Sequence, residues 1–273
     1  MNKSFEYFII IFLFVISLIY TNNINDIVKD KDPIMIKIKE VSEVIDTESI
    51  NAIINDDELV TGISGCSVDI NKSYENMKKL NNYSDKMLRY KDLIPKITSI
   101  NYYDKYITGG NNLNRNISIV VYLEDSLDKL KEIDDIRLNL FLDGMLLKDS
   151  KINIPENIKV FNGGIDSYYD DVNIEWINDV IESNYNESLY CLNILKDNDS
   201  LINCSKNKMY TITPKLTAKD IYNLKKNIKN GSIIYFDENS INKLEFVSNY
   251  ILKKGYNIVF LEELLNEKKC KQM

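Results

Sequence analysis

Histidine is absent from all 273 residues, and this decides which chemistry the chain can do. Without imidazole there is no Ser-His-Asp or Cys-His nucleophile, no histidine acid–base pair and no metal site that needs nitrogen ligands. The four cysteines, Cys66, Cys191, Cys204 and Cys270, form no C-x-x-C pair, which removes zinc ribbons and thioredoxin-type redox sites. Cys191 and Cys204 are spaced to bridge a short loop in an oxidising compartment, and equally to be two semi-buried free thiols. What remains is carboxylate chemistry, with 41 Asp and Glu against 34 Lys and Arg and a formal charge of −7. That balance argues against nucleic acid, whose phosphates require a basic surface. Arg89, Arg115 and Arg137 are the only arginines, so two-pronged anion clamps are scarce.

The elements that must position such residues begin with an apolar run. Residues 5–20 carry one charge, Glu6. Extended to Ile24 as a helix, the run covers about 30 Å, the hydrocarbon thickness of a bilayer. No small-residue cleavage site follows it, so residues 1–24 are expected to form an uncleaved signal anchor in the cell membrane, with the bulk of the chain outside the cytoplasm. Residues 25–60 read as a charged stalk leading into extended segments, 34–41 among them. A helix with Ser73 as its N-cap is expected over 73–80. Residues 108–114 are rich in turn formers and predict a domain boundary, which leaves 25–114 as a small extended or β-rich region.

Beyond that linker, strands and helices alternate. Residues 116–123 form a continuous β-branched and apolar run suited to a strand buried on both faces. A helix is expected over 127–133, strands over 138–142 and 158–161, and a helix over 171–182 with Val172, Trp176 and Val180 facing the core. Residues 217–220 read as a capping box opening a helix that ends at Asn230-Gly231. Strands 232–236 and 256–260, joined by a helix bearing Leu244, Val247, Ile251 and Leu252, are expected to be parallel neighbours in an α/β fold.

Residues 225–236, Lys-Lys-Asn-Ile-Lys-Asn-Gly-Ser-Ile-Ile-Tyr-Phe, and 250–264, Tyr-Ile-Leu-Lys-Lys-Gly-Tyr-Asn-Ile-Val-Phe-Leu-Glu-Glu-Leu, resemble the end of polysaccharide deacetylase domains (NodB-type, carbohydrate esterase family 4). Leu140-Phe-Leu-Asp-Gly144 is similar to an earlier strand of that family, and 116–125 stands where its opening strand and Thr-Phe-Asp-Asp-Gly motif belong. The likeness covers about 115–266. It implies a distorted (β/α) barrel over 115–273, acting at the cell envelope on N-acetylated glycans.

By this resemblance Glu124 takes the position of the catalytic base, Asp125 that of the metal aspartate, and Asp237 that of a late histidine acid. The family's two metal-binding histidines would lie near 162–167 and are missing. No cofactor is expected unless the protein is active, in which case Glu124, Asp125 and Asp237 would have to hold a hard divalent cation. Tyr168, Tyr169 and Tyr235 are candidate platforms for sugar rings. The expectation is a membrane-anchored, catalytically inactive envelope protein that binds a glycan or serves as a scaffold. The alternatives are an active N-deacetylase with a rebuilt carboxylate site, which requires these three carboxylates to converge within about 6 Å, and a purely structural envelope protein.

Overall fold

The computed structural model describes residues 3–111, 115–126, 136–148, 154–267 and Cys270, without the side chains of several residues in the first helix. The chain runs α1 (Lys3–Asp30), α2 (Pro33–Ile45), β1 (Ile53–Asn55), β2 (Glu58–Val60), β3 (Gly65–Val68), α3 (Ile70–Leu80), β4 (Tyr90–Leu93) and β5 (Tyr106–Gly109). There follow β6 (Asn116–Leu123), β7 (Leu138–Leu142), α4 (Gly144–Lys148), β8 (Ile158–Asn162), α5 (Asp171–Asn184), β9 (Tyr190–Leu192), α6 (Asn198–Lys206) and β10 (Tyr210–Ile212). Last come β11 (Leu216–Thr217), α7 (Ile221–Asn227), β12 (Ile233–Phe236), α8 (Leu244–Lys253), β13 (Asn257–Ile258) and α9 (Leu261–Leu265). These elements divide into two compact units, one of residues 1–48, 65–93 and 269–273, the other of residues 49–64 and 94–268. The expected helix over 127–133 lies outside the described residues.

In the first unit, Asp32 caps α2 by accepting the Ile34 N–H at 2.9 Å, and Pro33 occupies the first turn, where its missing N–H costs nothing. The expectation of extended structure over 34–41 is corrected here. Ile34, Met35, Ile38 and Ser42 share one helical face and bury it against Val68, Met77 and Leu88. Ser73 is not the cap of α3 either. Asp69 accepts the Lys72 N–H, while the buried Ser73 hydroxyl accepts the N–H of Arg89. A disulfide joins Cys66 to Cys270 within this unit. α1 is continuous, but among the described residues no helix is long and apolar enough to cross a membrane, so the expected spanning segment gains no support here.

In the second unit the strand order β1-β2-β5-β10-β9-β8-β7-β6-β12-β11 curls round on itself. Gly109 bridges Ser232, and the Gly110 N–H donates to the Gly231 carbonyl at 2.8 Å, which brings β5 back beside β12. This closure depends on glycine. Gly231 has φ +79°, and a Cβ there would stand 2.1 Å from the Gly110 carbonyl oxygen. From β5 round to β12 the strands pair in parallel, while the closing Gly109–Ser232 bridge is antiparallel, and period-two alternation sends their side chains to two cores. Ile119, Val121, Leu140, Leu142, Val160 and Phe236 face outward to α5, α7 and α8. Val120, Tyr122, Phe141, Phe161, Ile212 and Ile233 face inward, where they meet Leu261, Leu264 and Leu265 of α9. The buried Asn139 links the two ends of this arrangement, donating to Ser118 Oγ and the Ile119 carbonyl while accepting the Leu261 N–H at 2.9 Å.

Four further expectations need correction. β12 and β13 are parallel but not neighbours, because each pairs with β6, β13 at Asn116–Ile117 and β12 at Ser118–Val121. Thr217 belongs to a strand, and the cap of α7 is Asp220, which accepts the Asn223 N–H. The fully buried residues of α5 are Ile174, Ile177 and Ile181; Trp176 and Val180 pack partly buried against the core as expected, whereas Val172 is exposed. Residues 108–110 are strand end and closure rather than linker. The second disulfide, Cys191–Cys204, ties β9 to α6 and is fully buried.

Candidate functional site

Parallel strands that close into a barrel leave their carboxyl ends, and the loops that follow, around one mouth. Here that mouth is a groove of ≈ 690 Å³. The end of β6 brings Tyr122, Glu124 and Asp125 to it, and the end of β12 brings Tyr235, Asp237 and Glu238. The turn after β8 adds Asp166, Ser167 and Tyr168, and the segment before α6 adds Asp197. Alternation explains the tyrosines. Tyr122 lies two residues from Val120, and Tyr235 two from Ile233, so both point into the barrel at the level where the strands end.

The turn after β8 is a tight hairpin. Ile165 and Tyr168 exchange both backbone hydrogen bonds, at 3.0 and 2.9 Å, and the two residues between them, Asp166 and Ser167, have φ of 50° and 62°. Two successive positive φ values define a type I′ turn, which normally selects Asn or Gly. Asp143 holds it in place from below. This carboxylate is 3% exposed and accepts the Asp166 N–H at 2.6 Å, the Tyr122 hydroxyl at 3.2 Å and the Met145 N–H at 2.8 Å. Beyond the turn the chain is extended again, so neighbouring tyrosines face opposite ways. Tyr168 is exposed at the groove. Tyr169 is fully buried, donating its hydroxyl to the Asn162 carbonyl at 2.9 Å and accepting the Leu192 N–H at 2.8 Å. Tyr169 is therefore an internal brace and not a platform for a ligand.

The carboxylates of the groove do different things. Glu238 Oε1 accepts the N–H groups of Glu124 and Asp125 at 2.9 and 2.7 Å, fixing the backbone of the first motif. Burial raises the Glu124 carboxyl above its ordinary value, and the negative charges of Glu238, Asp143 and Asp125 add to the rise. Asp237 goes the other way. Burial pushes it up, but the Lys219 ammonium at 2.6 Å and the Ser240 hydroxyl more than offset this, leaving it below the usual carboxylate range. Tyr122 and Tyr235 are both shifted upward by burial and stay protonated as donors. The sequence alone missed Lys219, Glu238, Asp143, Asp166 and Asp197, because only the topology brings them together.

Glu124, Asp125 and Asp237 share the groove, but among the described residues no group of three His, Cys, Asp or Glu is placed to hold a metal ion. Two of the positions among 162–167, where the missing histidines are expected, are closed to a side chain in place. Asn162 is buried, donating to Asn178 Oδ1 at 2.8 Å and accepting the Gly164 N–H. A Cβ on Gly163 would stand 2.5 Å from the Leu142 carbonyl oxygen, and one on Gly164 would stand 2.4 Å from that of Tyr168. The residues present do not fit the divalent metal that the fold implies.

No protein-family description matches the chain, and no curated protein matches it either. Solved structures do. The wild-type CE4 family pseudoenzyme of Bacillus anthracis aligns with a TM-score of 0.58 at 19% identity, covering 88% of this chain and 97% of that one. A mutant of that pseudoenzyme with restored enzymatic activity aligns at 0.60 and 19% identity, covering 86% and 99%. The shared fold thus extends well beyond residues 115–266, into the part of the chain for which the sequence suggested no relative. With its curled, mostly parallel sheet, its strand-end groove and this likeness, the chain carries the polysaccharide deacetylase fold of the CE4 type, in a divergent form without histidine.

Proposed function

We propose that this protein is a pseudoenzyme of the cell envelope that binds a glycan in the strand-end groove without hydrolysing it, and that the glycan carries free amines. One observation carries the reading. Glu124, Asp125, Asp166, Asp197, Asp237 and Glu238 line the groove beside Tyr168 and Tyr235, and Lys219 is the only cation among the described residues that line it. Tyrosine faces suit the apolar faces of sugar rings. So large an excess of negative charge favours a sugar whose amino groups are protonated over one whose amines are acetylated. Location belongs to the same proposal. Two disulfides suit an oxidising compartment. In α1 the six consecutive residues Ile11–Ile16 are all exposed, so apolar surface runs round every side of the helix, as suits attachment to a membrane.

The test is calorimetric titration of the full chain with a glucosamine tetramer and with an N-acetylglucosamine tetramer. The free-amine tetramer is expected to bind about tenfold tighter at low salt, the worth of two or three exposed charge contacts of 0.2–1 kcal/mol each. The preference should shrink as salt rises and screens those contacts. Both affinities should fall in Tyr168→Ala. Equal binding of the two tetramers would remove the charge argument, and binding of neither would remove the glycan.

A further inference from the structure

In the second unit α7 and α8 use their inner faces on the outward core, through Leu224 on one and Leu244, Val247 and Ile251 on the other. Their outer faces carry aromatic side chains into solvent, Tyr222 at 79% exposure and Phe246 at 54%. Tyr250 stands one turn after Phe246, and its hydroxyl donates to the Lys225 carbonyl at 3.4 Å, which ties the two helices together. The Lys225 ammonium is 4.6 Å from the ring centre of Phe246 and 5.2 Å from that of Tyr250, and the Lys254 ammonium is 5.7 Å from the Tyr250 centre. Tyr222 precedes Lys225 by three residues and so shares its side of α7. These contacts gather rings and ammonium groups into one exposed patch. Its charge runs against that of the whole chain. Lys225, Lys226, Lys253 and the capping residue Lys254 are set against one acidic residue within the two helices, Glu245, in a protein of net charge −7.

We propose that this patch docks on the surface of an anionic lipid bilayer. The contact is separate from α1 and from the strand-end groove, and depends on neither. Lysines close to an anionic lipid surface are attracted to its phosphates, and here four of them stand within two helices. The rings decide between lipid and a soluble acidic polymer. Phenylalanine and tyrosine bury an apolar body at headgroup depth, while the tyrosine hydroxyl and the lysine ammonium stay with water and phosphate. A purely ionic partner would gain nothing from Tyr222 and Phe246. Exposed rings bordered by lysines are the composition of helices that lie in a membrane interface.

The test is photo-crosslinking of the full chain, with p-benzoylphenylalanine in place of Tyr222, to vesicles of phosphatidylglycerol or of phosphatidylcholine. Lipid adducts are counted by mass spectrometry. A second protein carries the same group in place of Val172, an exposed residue of α5 in the same unit. Adducts at position 222 are expected with phosphatidylglycerol, with about tenfold fewer from phosphatidylcholine and few at position 172. The yield should fall about fivefold in Lys253→Gln and again in Lys254→Gln, both exposed positions whose change leaves the core intact, and it should fall as salt rises. Equal yields at the two positions would mean that the vesicle meets no particular face, and would overturn the docking. So would a yield indifferent to lipid charge or to both lysines, and so would the absence of adducts at 222, whether or not α1 holds the protein to the vesicles. Binding of polyphosphate without any lipid adduct would give the patch to a soluble polyanion instead.

Discussion

Lys219 and Asp237 form an ion pair at the edge of the strand-end groove. The resemblance to deacetylases puts a histidine acid where Asp237 stands, and the structure gives that aspartate to a lysine 2.6 Å away. A carboxyl whose folded pKa lies below its unfolded value, about 3.9, adds stability that is complete above that value and is lost as pH falls through the folded one. In Lys219→Met the lowering by the ammonium is lost while burial and the Ser240 hydrogen bonds remain, and the Asp237 carboxyl should titrate higher than in the parent protein by carbon NMR. The variant should lose about 0.2–1 kcal/mol at pH 7 and almost nothing near pH 2, because Lys219 is 60% exposed and water screens the pair. An unmoved titration would show that Lys219 does not govern this group. Asp237, Glu124 and Asp125 were legible because a motif marks their place in the sequence. Lys219 was not, since it follows a two-residue strand whose Thr-Ala-Lys-Asp sequence imitates a capping box.

Elements were legible where their hydrophobic period was plain. The run 116–123 reads as a doubly buried strand because both its faces meet a core, and α8 shows Leu244, Val247 and Ile251 at helical spacing. α2 misleads because Ile34, Ile36 and Ile38 alternate like a strand, yet Asp32-Pro33 starts a helix and only the packed partners decide between the two periods. The barrel closure was not legible at all, since a glycine contact between residues more than a hundred apart leaves no local signal. α1 carries its own prediction. With exposed apolar side chains on every side, including Ile11, Leu13 and Phe14, it should hold the full-length protein in the membrane fraction through carbonate extraction. A full-length protein recovered wholly in the carbonate supernatant would remove the proposed attachment.

At the scale of the whole molecule, the chain shares a scaffold with a CE4 family pseudoenzyme, and the proposed function is binding without amide hydrolysis. Hydrolysis of an unactivated amide needs a polarised carbonyl, an activated water and an acid to protonate the departing amine, and the acid–base share alone is worth about 10²–10⁴-fold. No imidazole exists anywhere in the sequence to supply these roles. Asp237 is tied to Lys219, and Gly163 and Gly164 pack too closely to backbone carbonyls to admit larger side chains in place. The same mouth gathers six carboxylates and three tyrosines, the arrangement on which the proposed binding of a cationic sugar rests. The direct test is acetate release from N-acetylglucosamine oligomers by the full chain, with zinc, cobalt or nickel supplied. No release above the uncatalysed background is expected. Turnover that persists through purification and disappears in Asp125→Ala would contradict it, because it would mean that these carboxylates do assemble a working site.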